Sequence, residues 1–81
     1  MISIKIYRER LHKADLKDDD LFHELIATGM ELLKLSPKDL SYEFGVSTNT
    51  VKNWRIGFSA PHPEMRRSIY DFLARRAAHR G

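Results

Sequence analysis

The sequence predicts an all-α fold, a compact domain of four helices behind a short extended N-terminal arm. Three observations predict it. Apolar residues recur at helical spacing over about 20–34 and 63–78. Between those stretches lie two short segments, each with its own N-terminal cap and its own terminating glycine. With 81 residues and no cysteine, the chain has room for one core and no disulfide or thiolate-zinc staple. The expected organisation is an arm and connector over 1–17 and a helical domain over 18–81.

The arm, MISIKIY, alternates Ile2, Ile4 and Ile6 with Ser3, Lys5 and Tyr7, the period-two pattern of a half-buried strand. A lone strand must pair with another chain, pack as an arm over the helices, or stay loose. Residues 8–18 are polar apart from Leu11, Ala14 and Leu16, so they predict a connector with at most one helical turn. Asp18, Asp19 and Asp20 then stand where a helix start favours carboxylates, and they open a helix to about Lys34. Its apolar ridges are Leu21, Leu25, Thr28 and Leu32 beside Phe22, Ile26, Met30 and Leu33. Gly29 either weakens this helix or admits a close neighbour.

Ser36-Pro37-Lys38-Asp39 predicts the next helix, over 37–44. Ser36 is the N-cap, Pro37 suits the first helical position, and Asp39 stands where a capping box requires an acid, with Leu35 and Leu40 as a hydrophobic staple. Gly45 stops it. The same grammar repeats at once: Ser47 caps a helix over 48–56, Val46 and Val51 form the staple, and Gly57 terminates. Two short, separately capped helices around a glycine turn constitute a helix-turn-helix pattern. After Pro61, His62 is the expected cap and Pro63 the first residue of a last helix to about Ala78, with Arg75, Arg76, His79 and Arg80 near its negative end.

Charge divides unevenly. Residues 1–44 carry seven Lys or Arg against nine Asp or Glu, a balance of −2, whereas residues 45–81 carry seven against two, a balance of +5. A basic second half suits an anionic partner such as nucleic acid, although a solvated basic face needs no partner. The four histidines, His12, His23, His62 and His79, are scattered, and no HExxH, glycine-rich phosphate loop or nucleophile elbow occurs, so neither catalysis nor a cofactor is expected. The Asp18–Asp20 run lacks the further ligands and glycine of a calcium loop and reads as a solvated helix cap. No apolar run approaches the roughly 20 residues of a membrane span, and the basic start lacks a signal peptide's apolar region. A cytoplasmic protein is expected.

At about 100° per residue, Val51 and Trp54 share the inner face of the 48–56 helix, and the outer surface becomes Thr48, Asn49, Lys52 and Asn53, with Ile56 on the same side. Asn and Thr are mediocre helix formers, and helix-start capping accounts for Thr48 and Asn49 but not for Asn53. Their chemistry suits a duplex. A carboxamide offers a donor and an acceptor that match adenine N6 and N7 in the major groove, and threonine can hydrogen-bond or rest its methyl on that of thymine.

Residues 36–73, with Leu40, Gly45-Val46-Ser47, Val51, Trp54, Gly57 and Pro61 in order, resemble the Cro and lambda-repressor-like helix-turn-helix domains of phage and bacterial regulators. The resemblance covers about half the chain closely, and the 20–34 helix extends it. It implies that Thr48, Asn49 and Asn53 contact base edges, with Lys52 and Ser47 on base or phosphate, and that Ser36 and Lys38 hold the DNA backbone. Amides at a helix N-terminus suit that last role independently. It also implies a homodimer on a palindromic operator, one such helix in each half-site. The family commonly dimerises through a fifth, C-terminal helix, for which the 2–7 arm or the last helix would substitute here.

Three residues depart from the family pattern. Pro37 replaces a common Gln and removes its contact, Arg55 stands where an acid is usual, and Phe58 follows Gly57 where a basic residue is common. The backbone grip after the 48–56 helix is therefore expected from Ser59 and from Arg66, with Arg67 beside it. The functional expectation is a sequence-specific double-stranded DNA-binding transcriptional regulator, a repressor by virtue of its size. The alternative is an antitoxin or small protein-interaction adaptor that uses the helix pair mainly for association.

Overall fold

A computed structural model of the protein describes residues 2–80, with side chains through His79. It is all-helical: α1 (Ile4–Lys13), α2 (Asp19–Leu32), α3 (Pro37–Phe44), α4 (Thr48–Ile56) and α5 (Pro63–Arg80), with no strand among the described residues. None of these helices is long and apolar enough to cross a membrane.

The extended arm and connector expected over 1–17 are corrected by α1, which makes the helix count five rather than four. Residue Met1 lies outside the described residues. The Ile2, Ile4, Ile6 alternation is real in sequence but is not the pattern the fold uses, because Ile6 is half exposed while Tyr7 and Leu11 are buried. Ile4, Tyr7, Leu11 and Ala14 face the core at helical spacing. Ser3 supplies the cap, its Oγ accepting from the Ile6 amide at 3.1 Å. Arg10, His12 and Lys13 occupy the last turn, where the dipole favours cations. Tyr7 secures α1 to α2 by donating from Oη to Leu25 O at 2.7 Å. Burial holds that phenol neutral by pushing its pKa up, with the Tyr70 phenol adding to the effect.

α2 starts from Asp18, whose carboxylate accepts from the Leu21 amide at 3.0 Å. It ends at Leu32, two residues short of the expected Lys34. Lys34 takes a left-handed φ of 54°, and Leu35 N returns to Met30 O at 2.9 Å, so the chain has already left the helix there. Gly29 is the close approach that the sequence left open. A Cβ built there would lie 2.0 Å from Tyr7 Oη, so the phenol occupies the space a side chain would need.

Phe22 sits where three helices meet. Trp54 of α4 packs on it edge-on at 5.9 Å between ring centroids, Tyr70 of α5 is tilted against it at 6.0 Å, and the Arg66 guanidinium lies 5.4 Å from its centre. Phe44 of α3 meets Phe72 of α5 edge-on at 5.5 Å. α1 packs chiefly along α5, so the N-terminal and C-terminal helices cover one side of the core and α3 and α4 the other.

Candidate nucleic-acid interface

The α3–α4 pair is held by short-range bonds. Ser36 and Asp39 form a complete capping box: Asp39 N donates to Ser36 Oγ at 3.2 Å and Ser36 N donates to Asp39 Oδ2 at 2.8 Å. The backbone amide and hydroxyl of Ser36 hold the Asp39 carboxyl below its ordinary pKa. Gly45 closes α3 at φ 66°, its amide donating to Ser41 O, while Ser41 Oγ donates to Val46 O and fixes the turn into α4. Ser47 then caps α4, with Oγ accepting from Thr50 N at 3.0 Å and lying 2.9 Å from Thr50 Oγ1. Gly57 closes it at φ 85°, and Phe58 N donates to Asn53 O at 2.9 Å.

Tertiary contacts decide which face of α4 turns inward. Val51 and Trp54 are buried, and His23 Nδ1 of α2 donates to Trp54 O at 2.8 Å. That bond pins the C-terminal turn of α4 to the core. Thr48, Asn49 and Lys52 are exposed and Asn53 is half-exposed, so all four share the outward side of one helix. Among the described residues, no hydrogen bond or ion pair engages any of their side chains. Their donors and acceptors are therefore free for another molecule. With Ser47 Oγ committed to Thr50, the amides of Thr48 and Asn49 are the unpaired first donors of the helix.

The expected backbone contacts fare unequally. Ser36, Lys38, Ser47 and Ser59 are exposed, the first two at the start of α3, which packs directly on α4. At that helix start the Asp39 carboxylate opposes a second anion, which leaves Lys38 as the cation there. Arg66 is corrected: it is 6% exposed and already committed. Its Nε donates to Pro61 O at 2.8 Å, Nη1 to Leu16 O at 3.1 Å, and Nη2 pairs with Asp19 Oδ1 at 2.7 Å. The guanidinium joins the α1–α2 loop, the start of α2 and the entry to α5, and its burial behind these three contacts withholds it from a phosphate. Arg67, its neighbour, is exposed.

Ile56 and Phe58 lie beside the site, and the sequence pattern assigns a contact to neither. Both are large apolar side chains left in solvent, Ile56 at 70% and Phe58 at 79% exposure. The helical wheel already put Ile56 on the outward side; Phe58 gave no signal beyond its departure from the family pattern. No protein-family model matches the chain, and no curated protein or solved structure matches it either.

Proposed function

We propose that the chain is a sequence-specific double-stranded DNA-binding transcriptional regulator of the Cro and lambda-repressor-like helix-turn-helix kind, with α4 as the helix that enters the major groove. The observation that supports it is the outward face of α4, where Asn49, Asn53, Thr48 and Lys52 stand with their polar atoms unengaged while Val51 and Trp54 anchor the opposite face. A helix selected only for solvation would carry Glu, Lys or Ala in place of Thr48, Asn49 and Asn53. Asn49 and Asn53 lie one turn apart and address neighbouring adenines through bidentate contacts, Thr48 and Lys52 take base or phosphate, and Ser47, Ser36, Lys38 and Ser59 seat the backbone. The regulator acts as a homodimer on an inverted repeat and represses by occupying a promoter, without cofactor or catalysis.

Selection of duplexes from a random pool tests this reading. A recovered inverted repeat, bound with an affinity that falls steeply with salt, is the expected result. Asn49→Ala and Asn53→Ala should then each relax preference at one base position at a cost of about 1–3 kcal/mol, leaving nonspecific binding nearly intact. Equal losses on every sequence would remove the base-reading assignment. The second reading, an antitoxin or protein-binding adaptor, is favoured by the 89% exposure of Tyr42 on α3. Failure to select any duplex would turn the choice toward it.

A further inference from the structure

Ile56 is an exposed β-branched residue in the last turn of α4, a position where solvation alone favours a cation such as the adjacent Arg55. Taking about 100° per residue, Ile56 falls between Lys52 on one side and Asn49 and Asn53 on the other, in the middle of the outward stripe. It stands about 4.5 Å along the axis beyond Asn53, little more than one base-pair step of about 3.4 Å. Among the described residues little covers it, and 70% of its surface is open. Phe58 differs. Gly57 turns the chain off the helix axis at φ 85°, so Phe58 does not continue the stripe.

The stripe thus runs polar, cationic, polar and then apolar, and the major groove has one apolar feature to match it, the 5-methyl group of thymine. The geometry points to Ile56 as a further specificity-determining residue of the α4 face, one that packs its side chain on a thymine methyl beyond the base pairs addressed by Asn49 and Asn53. The inference rests on the DNA-binding reading above and adds to it a base identity at a defined place in the site. The contact is purely apolar: it involves no proton, no charge and no hydrogen bond, and its strength follows the methyl area removed from water.

The experiment uses the full chain and the selected duplex. Each thymine is replaced in turn by deoxyuridine, which keeps every hydrogen-bonding atom and lacks only the methyl group. The native protein is expected to lose affinity about fourfold at one thymine per half-site, the value for one buried methyl-sized group. Ile56→Ala should bind the thymine duplex more weakly by a similar factor and no longer distinguish thymine from deoxyuridine at that position. Ile56→Val should retain the distinction, and Phe58→Ala should leave the ratio unchanged. Because Ile56 is exposed, helical circular dichroism should be the same for all four proteins. If Ile56→Ala preserves the thymine preference, or Phe58→Ala abolishes it, the assignment of Ile56 is overturned while DNA binding stands. If no duplex is selected at all, both readings fall together.

Discussion

The two sides of this molecule are held together by different kinds of bond. In α3 and α4 nearly every fixing interaction is local: Ser36 with Asp39, Ser41 with Val46, Ser47 with Thr50, Asn53 O with the amide of Phe58. On the side formed by α1, α2 and α5, local caps at Ser3 and Asp18 are joined by fixing interactions that reach across the chain. Tyr7 bonds to Leu25, 18 residues away, and Arg66 to Leu16, 50 residues away. The difference teaches a division of labour. Local caps shape a helix pair that can present an unencumbered polar face, and the distant contacts supply the rigid body that holds this face still.

Trp54 is where the two sides join, and its removal should have the largest effect. The indole is buried, packs edge-on against Phe22 and carries the carbonyl bonded by His23. Trp54→Ala should lower stability by about 3–5 kcal/mol. Urea unfolding followed by circular dichroism and by tyrosine fluorescence should show one coincident transition at a lower midpoint. Two separated transitions would mean that the caps suffice to hold α3 and α4 without the body, and the contrast between the sides would be one of independent units.

The same contrast explains what could be read from the sequence. The bounds of α3 and α4 match expectation because serine caps, Pro37 and the two glycines are local signals, each decided within four or five residues. The outward polar face of α4 was legible for the same reason, following from helical periodicity once Val51 and Trp54 were placed inside. α1 was not legible. Its three isoleucines alternate as in a strand, and what makes the segment helical is the Ser3 cap together with partners for Tyr7 and Leu11 that lie far along the chain. Arg66 failed as a phosphate ligand on similar grounds. Nothing beside it in sequence reveals the Leu16 carbonyl or the Asp19 carboxylate that claim its guanidinium.

A middle-sized effect distinguishes the two kinds of information at one residue. Helix propensity alone says that Gly29→Ala should stabilise α2 by about 1 kcal/mol. The structure says the reverse: the new methyl would meet Tyr7 Oη at 2.0 Å and Cζ at 2.9 Å, and Tyr7 is fully buried. Overpacking of this kind should destabilise the domain by about 1–3 kcal/mol. In a Tyr7→Phe background the nearest clash disappears, so the penalty of Gly29→Ala should shrink and the two changes should be clearly non-additive in urea midpoints. Additive effects would detach α1 from α2 at this point and weaken the case that distant contacts hold that side.

The smallest effect belongs to the caps, and it should depend on acid. Ser36→Ala removes the hydroxyl that accepts from Asp39 N and should cost about 1 kcal/mol at neutral pH. Ser36 also holds the Asp39 carboxyl in its ionised form, with a folded-state pKa below the unfolded one. The stability this ionisation contributes is complete above the ordinary aspartate range near pH 4, and it is lost as pH falls below that range through the folded-state value. Part of the bonding survives in Ser36→Ala, because the backbone amide of residue 36 can still donate to Asp39 Oδ2. The carboxyl resonance of Asp39 should therefore titrate higher in the variant than in the native chain, yet remain below an unperturbed aspartate. A midpoint identical in both proteins would mean that the hydroxyl does not act on the carboxylate, and the backbone amide of residue 36 alone would then hold it ionised, leaving the hydroxyl only its bond from Asp39 N.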